Sequence, residues 1–198
     1  MGLVSSSQTE KKIPQSFFQR EDVVQIGKEL LGKHLFTSIR GEVTGGIITE
    51  TESYRGAEDK ACHAYGNRKT ARTAVMFEPG GIAYVYLCYG MHHLFNIVTH
   101  GEGTPHAILI RAIQPTHGLE TMARRRKKKR SDPALCKGPG NLTKALGIET
   151  SHTGTSLAEG PIWLEDHGIT FDSILTTPRI GIDYAEEDKD LPYRFVVA

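Results

Sequence analysis

The sequence predicts an α+β fold: a single domain with a mostly antiparallel β-sheet core, surrounding helices and a protruding β-hairpin. Three observations carry that prediction. Apolar segments of strand length recur at His34–Ile39, Val43–Glu52, Ile82–Tyr89, Leu94–Thr99 and His106–Ile113, with turn residues between them. The turn YGMHH joins Ile82–Tyr89 to Leu94–Thr99, so those two segments form a hairpin. The chain has 198 residues with 38% hydrophobic content, enough for one core, and no repeat or clean linker divides it.

The elements follow in order. Residues 1–15 read as a disordered leader, and residues 16–198 as the domain. MGLVSS fits an N-myristoylation pattern at Gly2 only loosely. Ser16–Gly32 reads as one helix, with Asp22 able to cap, Val23, Ile26, Gly27 and Leu30 at helical spacing, and Gly32 after its end. The strands at His34–Ile39 and Val43–Glu52 turn at Arg40-Gly41-Glu42. Residues 55–80 lack periodicity and are rich in glycine and polar groups, so they read as a long functional loop. After the hairpin and the strand at His106–Ile113, Thr116–Lys128 and Asn141–Leu146 read as helices. Short strands at Ile162–Leu164 and Tyr193–Val197 complete the series.

Composition narrows the function. No apolar run is long enough to cross a membrane as a helix, and the start lacks the apolar block of a secretory signal. Cys62, Cys88 and Cys136 are odd in number and lack metal-ligand spacing, which points to a reducing compartment. Net charge is +1, but Arg124–Arg130 hold seven of the 24 positive charges, leaving 17 against 23 negative ones. Such asymmetry suits either a polyanionic partner such as nucleic acid or a solvated helix end.

The candidate site residues lie around ETESYRG, residues 50–56. Strand alternation puts Ile48, Glu50, Glu52 and Tyr54 on one face. A carboxylate beside apolar and aromatic groups is poorly solvated and must be paired or used. Paired carboxylates also suggest a sugar hydrolase. However, positions i and i+2 of a strand lie on one side, roughly 7 Å apart. They straddle a sugar ring poorly, so one of the two is structural. Tyr54, His63, Tyr84, Tyr86 and Tyr89 fall within 36 residues of a chain that is only 8% aromatic. Tyr84 and Tyr86 share a strand face. Tyr89, at the hairpin tip, suits a wedge into a base stack, and the other rings suit either a clamp on a flat ligand or core packing. Arg111 interrupts the apolar strand ILI-R-AI and needs an anion, for which Glu52 is the natural candidate. Asn96 interrupts LF-N-IV and offers directional hydrogen bonds. The histidines do not match metal-ligand spacing, so no metal is expected.

Taken together, ETESY, ACH, RKTARTAVMFEPGGIAYVYLCYGMHHLFNIV, AILIRA, LCKGPGNLTKALGI, PRIGI and LPYRF resemble the alkyladenine (3-methyladenine) DNA glycosylase family, in the right order over residues 17–198. The resemblance implies that Glu52 is the general base that activates water. Arg111 and the carbonyl of Ile180 would hold that water. Tyr54, His63 and Tyr86 would enclose the extruded base, and Asn96 would discriminate against purines with a 2-amino group. Tyr89 would fill the gap in the duplex, and Arg68 and Thr70 would approach backbone phosphates. It further implies a monofunctional enzyme without cofactors, probing double-stranded DNA with damaged purines as a monomer, in the bacterial nucleoid or the nucleus. Asn141 departs from the family, which often has lysine there. The residues alone leave open a non-catalytic nucleic-acid-binding module, which would need neither Glu52 nor Arg111, and a carbohydrate hydrolase using Glu50.

Overall fold

Everything in the molecule is built on one long strand, β2 (Glu42–Tyr54), in a computed structural model that describes residues 11–198. Its first half pairs with β1 (His34–Ile39). From Gly45 to Tyr54 it runs antiparallel to β5 (His106–His117). Near Glu50–Glu52 it also pairs with β8 (Arg194–Val197), which in turn pairs with β7 (Ile174–Thr177). Outward from β5 lie β4 (His92–Thr99) and β3 (Ala83–Cys88), and outward from β1 lies β6 (Ile162–Glu165). All these pairings are antiparallel. Among the described residues four α-helices surround the sheet: α1 (Gln15–Phe18), α2 (Val23–Glu29), α3 (Leu119–Arg126) and α4 (Pro139–Leu146). The α+β reading with an antiparallel core is therefore right.

The main core joins α2, α4 and the central strands through Ile26, Leu30, Ile48, Ile110, Leu142 and Phe195. Burying each such side chain stabilises the fold by roughly 1.5–3 kcal/mol. Gly27 lets α2 approach β2 closely: a Cβ there would fall 2.2 Å from Ser53 Oγ. Across that contact the Thr51 and Ser53 hydroxyls donate to the carbonyls of Gly27 and Val23.

Several boundaries differ from the sequence reading. The helix expected over Ser16–Gly32 is two helices. Asp22 does cap, accepting from the amides of Val24 and Gln25 at 2.9 Å, but in an extended conformation (φ −85°, ψ 93°). A residue in that conformation starts a helix and cannot lie inside one. The helix expected from Thr116 starts at Leu119. Residues to His117 stay in β5, paired with Gly45 and Gly46, and Gly118 makes the break at φ +71°. The helix expected from Asn141 starts two residues earlier, with Pro139 in its first turn. The loop over 55–80 contains three short 3-10 turns. β7 and the 3-10 stretch Asp183–Asp190 were not anticipated; β7 is mostly exposed and carries no alternation of burial. Of the leader, residues 1–10, including Gly2, lie outside the described residues. Lys12 and Ile13 are described and join β6, by a bridge to Glu165 and by an amide hydrogen bond to the Leu164 carbonyl. No helix among the described residues is long and apolar enough to cross a membrane.

Candidate active site

The alternation expected over Ile48, Glu50, Glu52 and Tyr54 does not run unbroken. Ile48 pairs with Ile113, Glu50 with Ala112 and Thr51 with Ile110, so Thr49 and Arg111 are each an extra residue in the ladder. Such bulges re-aim side chains. Ile48 belongs to the main core, whereas Glu52 and Tyr54 line a separate cavity of about 180 Å³. Arg111, at the bulge on β5, lies against both glutamates.

Glu52 is fully buried, and three donors hold it. The Tyr54 hydroxyl donates to Oε2 at 2.8 Å, and the Ile180 amide donates to Oε1 at 2.8 Å. Arg111 Nη1 lies 3.2 Å from Oε1. Burial and the Glu52 charge raise the Tyr54 phenol well above its ordinary value, so it stays a donor. Glu50 is held differently. Arg111 Nε and Arg194 Nε each lie 2.7 Å from its Oε1. Burial works against its charge, but these two guanidiniums hold its pKa below the ordinary carboxylate value. A carboxylate bound this way cannot act as the partner acid of a sugar hydrolase, which removes that alternative.

His63 and Tyr86 stand edge to face across the cavity mouth, with ring centroids 4.6 Å apart. Tyr84, on the same face of β3 as Tyr86, is buried, and its hydroxyl meets His63 Nδ1 at 2.8 Å. Burial and the neighbouring Arg72 push the His63 imidazole down to about 4, so it is neutral at pH 7. Asn96 is buried on β4 and also lines the cavity; its amide donates to the carbonyls of Tyr84 and Leu94. Ile180 contacts Glu52 through its amide, where the resemblance implied a role for its carbonyl.

The hairpin closes in a three-residue connection, Tyr89 to Met91, with Tyr89 at φ +50° and Gly90 at φ +70°. Both angles are those of a type I′ turn, which is rare for tyrosine. Tyr89 is 89% exposed. Arg68 and Thr70 are exposed in the loop over 55–80, away from the carboxylate cluster.

Sequence reasoning missed several residues here. Arg194 was legible only as a charge in the apolar strand RFVV. Arg179 is buried, paired with Asp59 at 2.5 and 2.9 Å, and its guanidinium lies 4.8 Å from the Tyr54 ring centre. Leu87 and Met91 join Tyr89 in an exposed apolar tip, at 45% and 69% exposure. Several members of the basic run are paired within the fold. Arg124 and Arg125 bind Glu42, Arg126 donates to the Leu135 carbonyl, and Lys128 and Arg130 pair with Asp132 and Glu120. Arg126, Lys127 and Lys129 have no acid partner among the described residues. Among those residues no group of three or more His, Cys, Asp and Glu side chains can hold a metal ion.

A hairpin with an exposed apolar tip and a carboxylate buried among rings fit what comparison with known proteins finds. The family model for Methylpurine-DNA glycosylase (MPG) matches residues 16–198. Relatives provisionally named 3-methyladenine DNA glycosylases include one from Chlamydia felis, 50% identical over 93% of this chain and 95% of its own length. Another from Chlamydia abortus is 48% identical over 93% and 97%. A third from Desulfitobacterium hafniense is 43% identical over 93% and 94%. The chain belongs to the methylpurine-DNA glycosylase family, and is a DNA glycosylase of alkylated-purine repair.

Proposed function

We propose that the enzyme swings 3-methyladenine out of duplex DNA and hydrolyses its N-glycosidic bond with water activated by Glu52, leaving an abasic site. The observation that carries this reading is the placement of Glu52: fully buried, yet lining a cavity walled by Tyr54, His63 and Tyr86. Chemistry at the base–sugar bond needs the nucleotide out of the stack, at a cost of a few kcal/mol. Tyr89, Leu87 and Met91 would fill the gap left behind. A purine alkylated at N3 or N7 is positively charged and leaves readily, so one carboxylate suffices and no cofactor is required. Glu52 takes a proton from water while its charge favours the oxocarbenium-like sugar. Arg111 and the Ile180 backbone position that water, and Arg111 keeps the carboxylate oriented. Neutral lesions such as hypoxanthine and ethenoadenine are harder leaving groups and need hydrogen bonds from the pocket, for which neutral His63 is suited. Asn96 sits where it can oppose a 2-amino group. Among the described residues no lysine joins the cluster, which supports a monofunctional enzyme.

A groove of about 910 Å³ runs beside the hairpin, lined by Met91, His92, Arg40, Arg126 and Lys144. Such a groove suits the DNA backbone beyond the lesion, with Arg68 and Thr70 as further phosphate contacts. Residues 16–198 would act as one glycosylase domain, as a monomer, wherever the cell keeps its DNA. Glu52→Gln tests the reading. It keeps the hydrogen-bonding shape and removes the base, so lesion-DNA binding should persist while release of free 3-methyladenine falls by about 10³-fold. Base release within tenfold of the parent enzyme would refute the role of Glu52. A parent enzyme that binds the duplex but releases no base would favour a non-catalytic binding module.

A further inference from the structure

Arg72 lies against two walls of the base cavity without lining it. Its guanidinium sits 4.8 Å from the Tyr86 ring centre, and one amino group lies 3.2 Å from His63 Nε2 and 3.4 Å from Nδ1. No carboxylate pairs with Arg72 among the described residues. The situation of Arg179, against Tyr54, is different, because Asp59 neutralises it. Tyr86, one of the three rings that would enclose the flipped base, therefore already carries a cation that is exposed to solvent and has no acid partner among the described residues.

Resting on the glycosylase reading above, we infer that Arg72 is a specificity-determining residue that favours neutral purine lesions over cationic ones. Two physical effects act in the same direction. A positively charged purine stacked on Tyr86 lies close to a second positive charge, whereas hypoxanthine or ethenoadenine meets no such repulsion. A guanidinium on the ring also draws on the π-electron density that would otherwise attract a cationic base. Held this close to both nitrogens of the His63 ring, the guanidinium disfavours a second positive charge there. Arg72 thereby keeps His63 neutral, the form that exchanges hydrogen bonds with a neutral leaving base. Cationic lesions are still excised, since their bond is intrinsically weak, but the gap between the two classes narrows.

The test is single-turnover base release from two substrates, a hypoxanthine duplex and a dimethyl-sulfate-treated duplex that releases 3-methyladenine. Arg72→Gln should raise the 3-methyladenine-to-hypoxanthine rate ratio about tenfold, and Arg72→Lys, which keeps the charge, should leave it within about threefold of the parent. Equal changes in both rates for Arg72→Gln, or the same ratio for the Gln and Lys variants, would overturn the role of Arg72 and leave the glycosylase reading intact. Release of neither base by the parent enzyme would overturn both.

Discussion

Glu50 and Glu52 are two residues apart and differ in what holds them. Glu50 meets two guanidiniums, while Glu52 meets a phenol, an amide and the far side of Arg111. The pattern ETESY marks both as unusual, and only the partners separate the braced carboxylate from the one that faces the cavity. Histidines show the same dependence on surroundings. Burial, and then neighbouring His100, push His106 down to about 4, and its Nδ1 is buried without a hydrogen-bond partner. Its folded value lies below the ordinary 6.5. Between those values the unfolded chain binds a proton that the folded chain does not, so stability falls as pH drops from 6.5 to 4 and levels off below that. His63 adds a loss of the same sign. Each contributes about 2 kcal/mol, allowing for partial exposure. Urea unfolding of His106→Gln at pH 7 and pH 4.5 should show a smaller acid loss than the parent. An equal loss would mean that His106 titrates normally.

At the scale of the element, the proposed role of the hairpin would couple stability to function. Tyr89 occupies a left-handed position that suits asparagine or glycine, and its side chain gains nothing from the core. Tyr89→Asn should therefore raise unfolding stability by about 0.5–1 kcal/mol while weakening base extrusion. Thermal melts and 2-aminopurine fluorescence beside the lesion check the two halves. A less stable variant, or undiminished extrusion, would argue against a strained wedge. The hairpin was legible because strong alternation flanks a turn with Gly90. The split between α1 and α2 was not, because Asp22 fits equally a helical surface and a cap, and only tertiary contacts choose between them. One such contact is the Phe18 carbonyl, which accepts from the His100 amide. β7 was illegible for a related reason: its residues are mostly exposed, so its existence depends on pairing with β8.

Across the whole molecule, charge is used more for structure than the sequence suggested. Arg125 donates to the Ala145 carbonyl near the end of α4 and lies near Glu42, so it ties α3 and α4 to the β1–β2 turn. Arg125→Ala should cost about 2 kcal/mol of stability. It should leave the slope of log affinity against log salt unchanged to within about 0.9, the share of one phosphate contact. A loss of slope with unchanged stability would instead make Arg125 a DNA contact. Groove cations without acid partners, such as Arg40 and Lys144, are better placed to set that slope.

By itself the amino-acid sequence determined the strands, the hairpin, the residue types of the site and the family, because alternation, turn chemistry and ordered motifs are local properties of the chain. The tertiary structure decided which glutamate is braced and which faces the cavity, that four cations of the basic run share three acids within the fold, and that Arg72 lies on Tyr86. Those outcomes depend on paired bulges at Thr49 and Arg111 and on partners far away in the chain. Bulges and distant partners leave no periodic trace, since their energies arise only when the sheet closes.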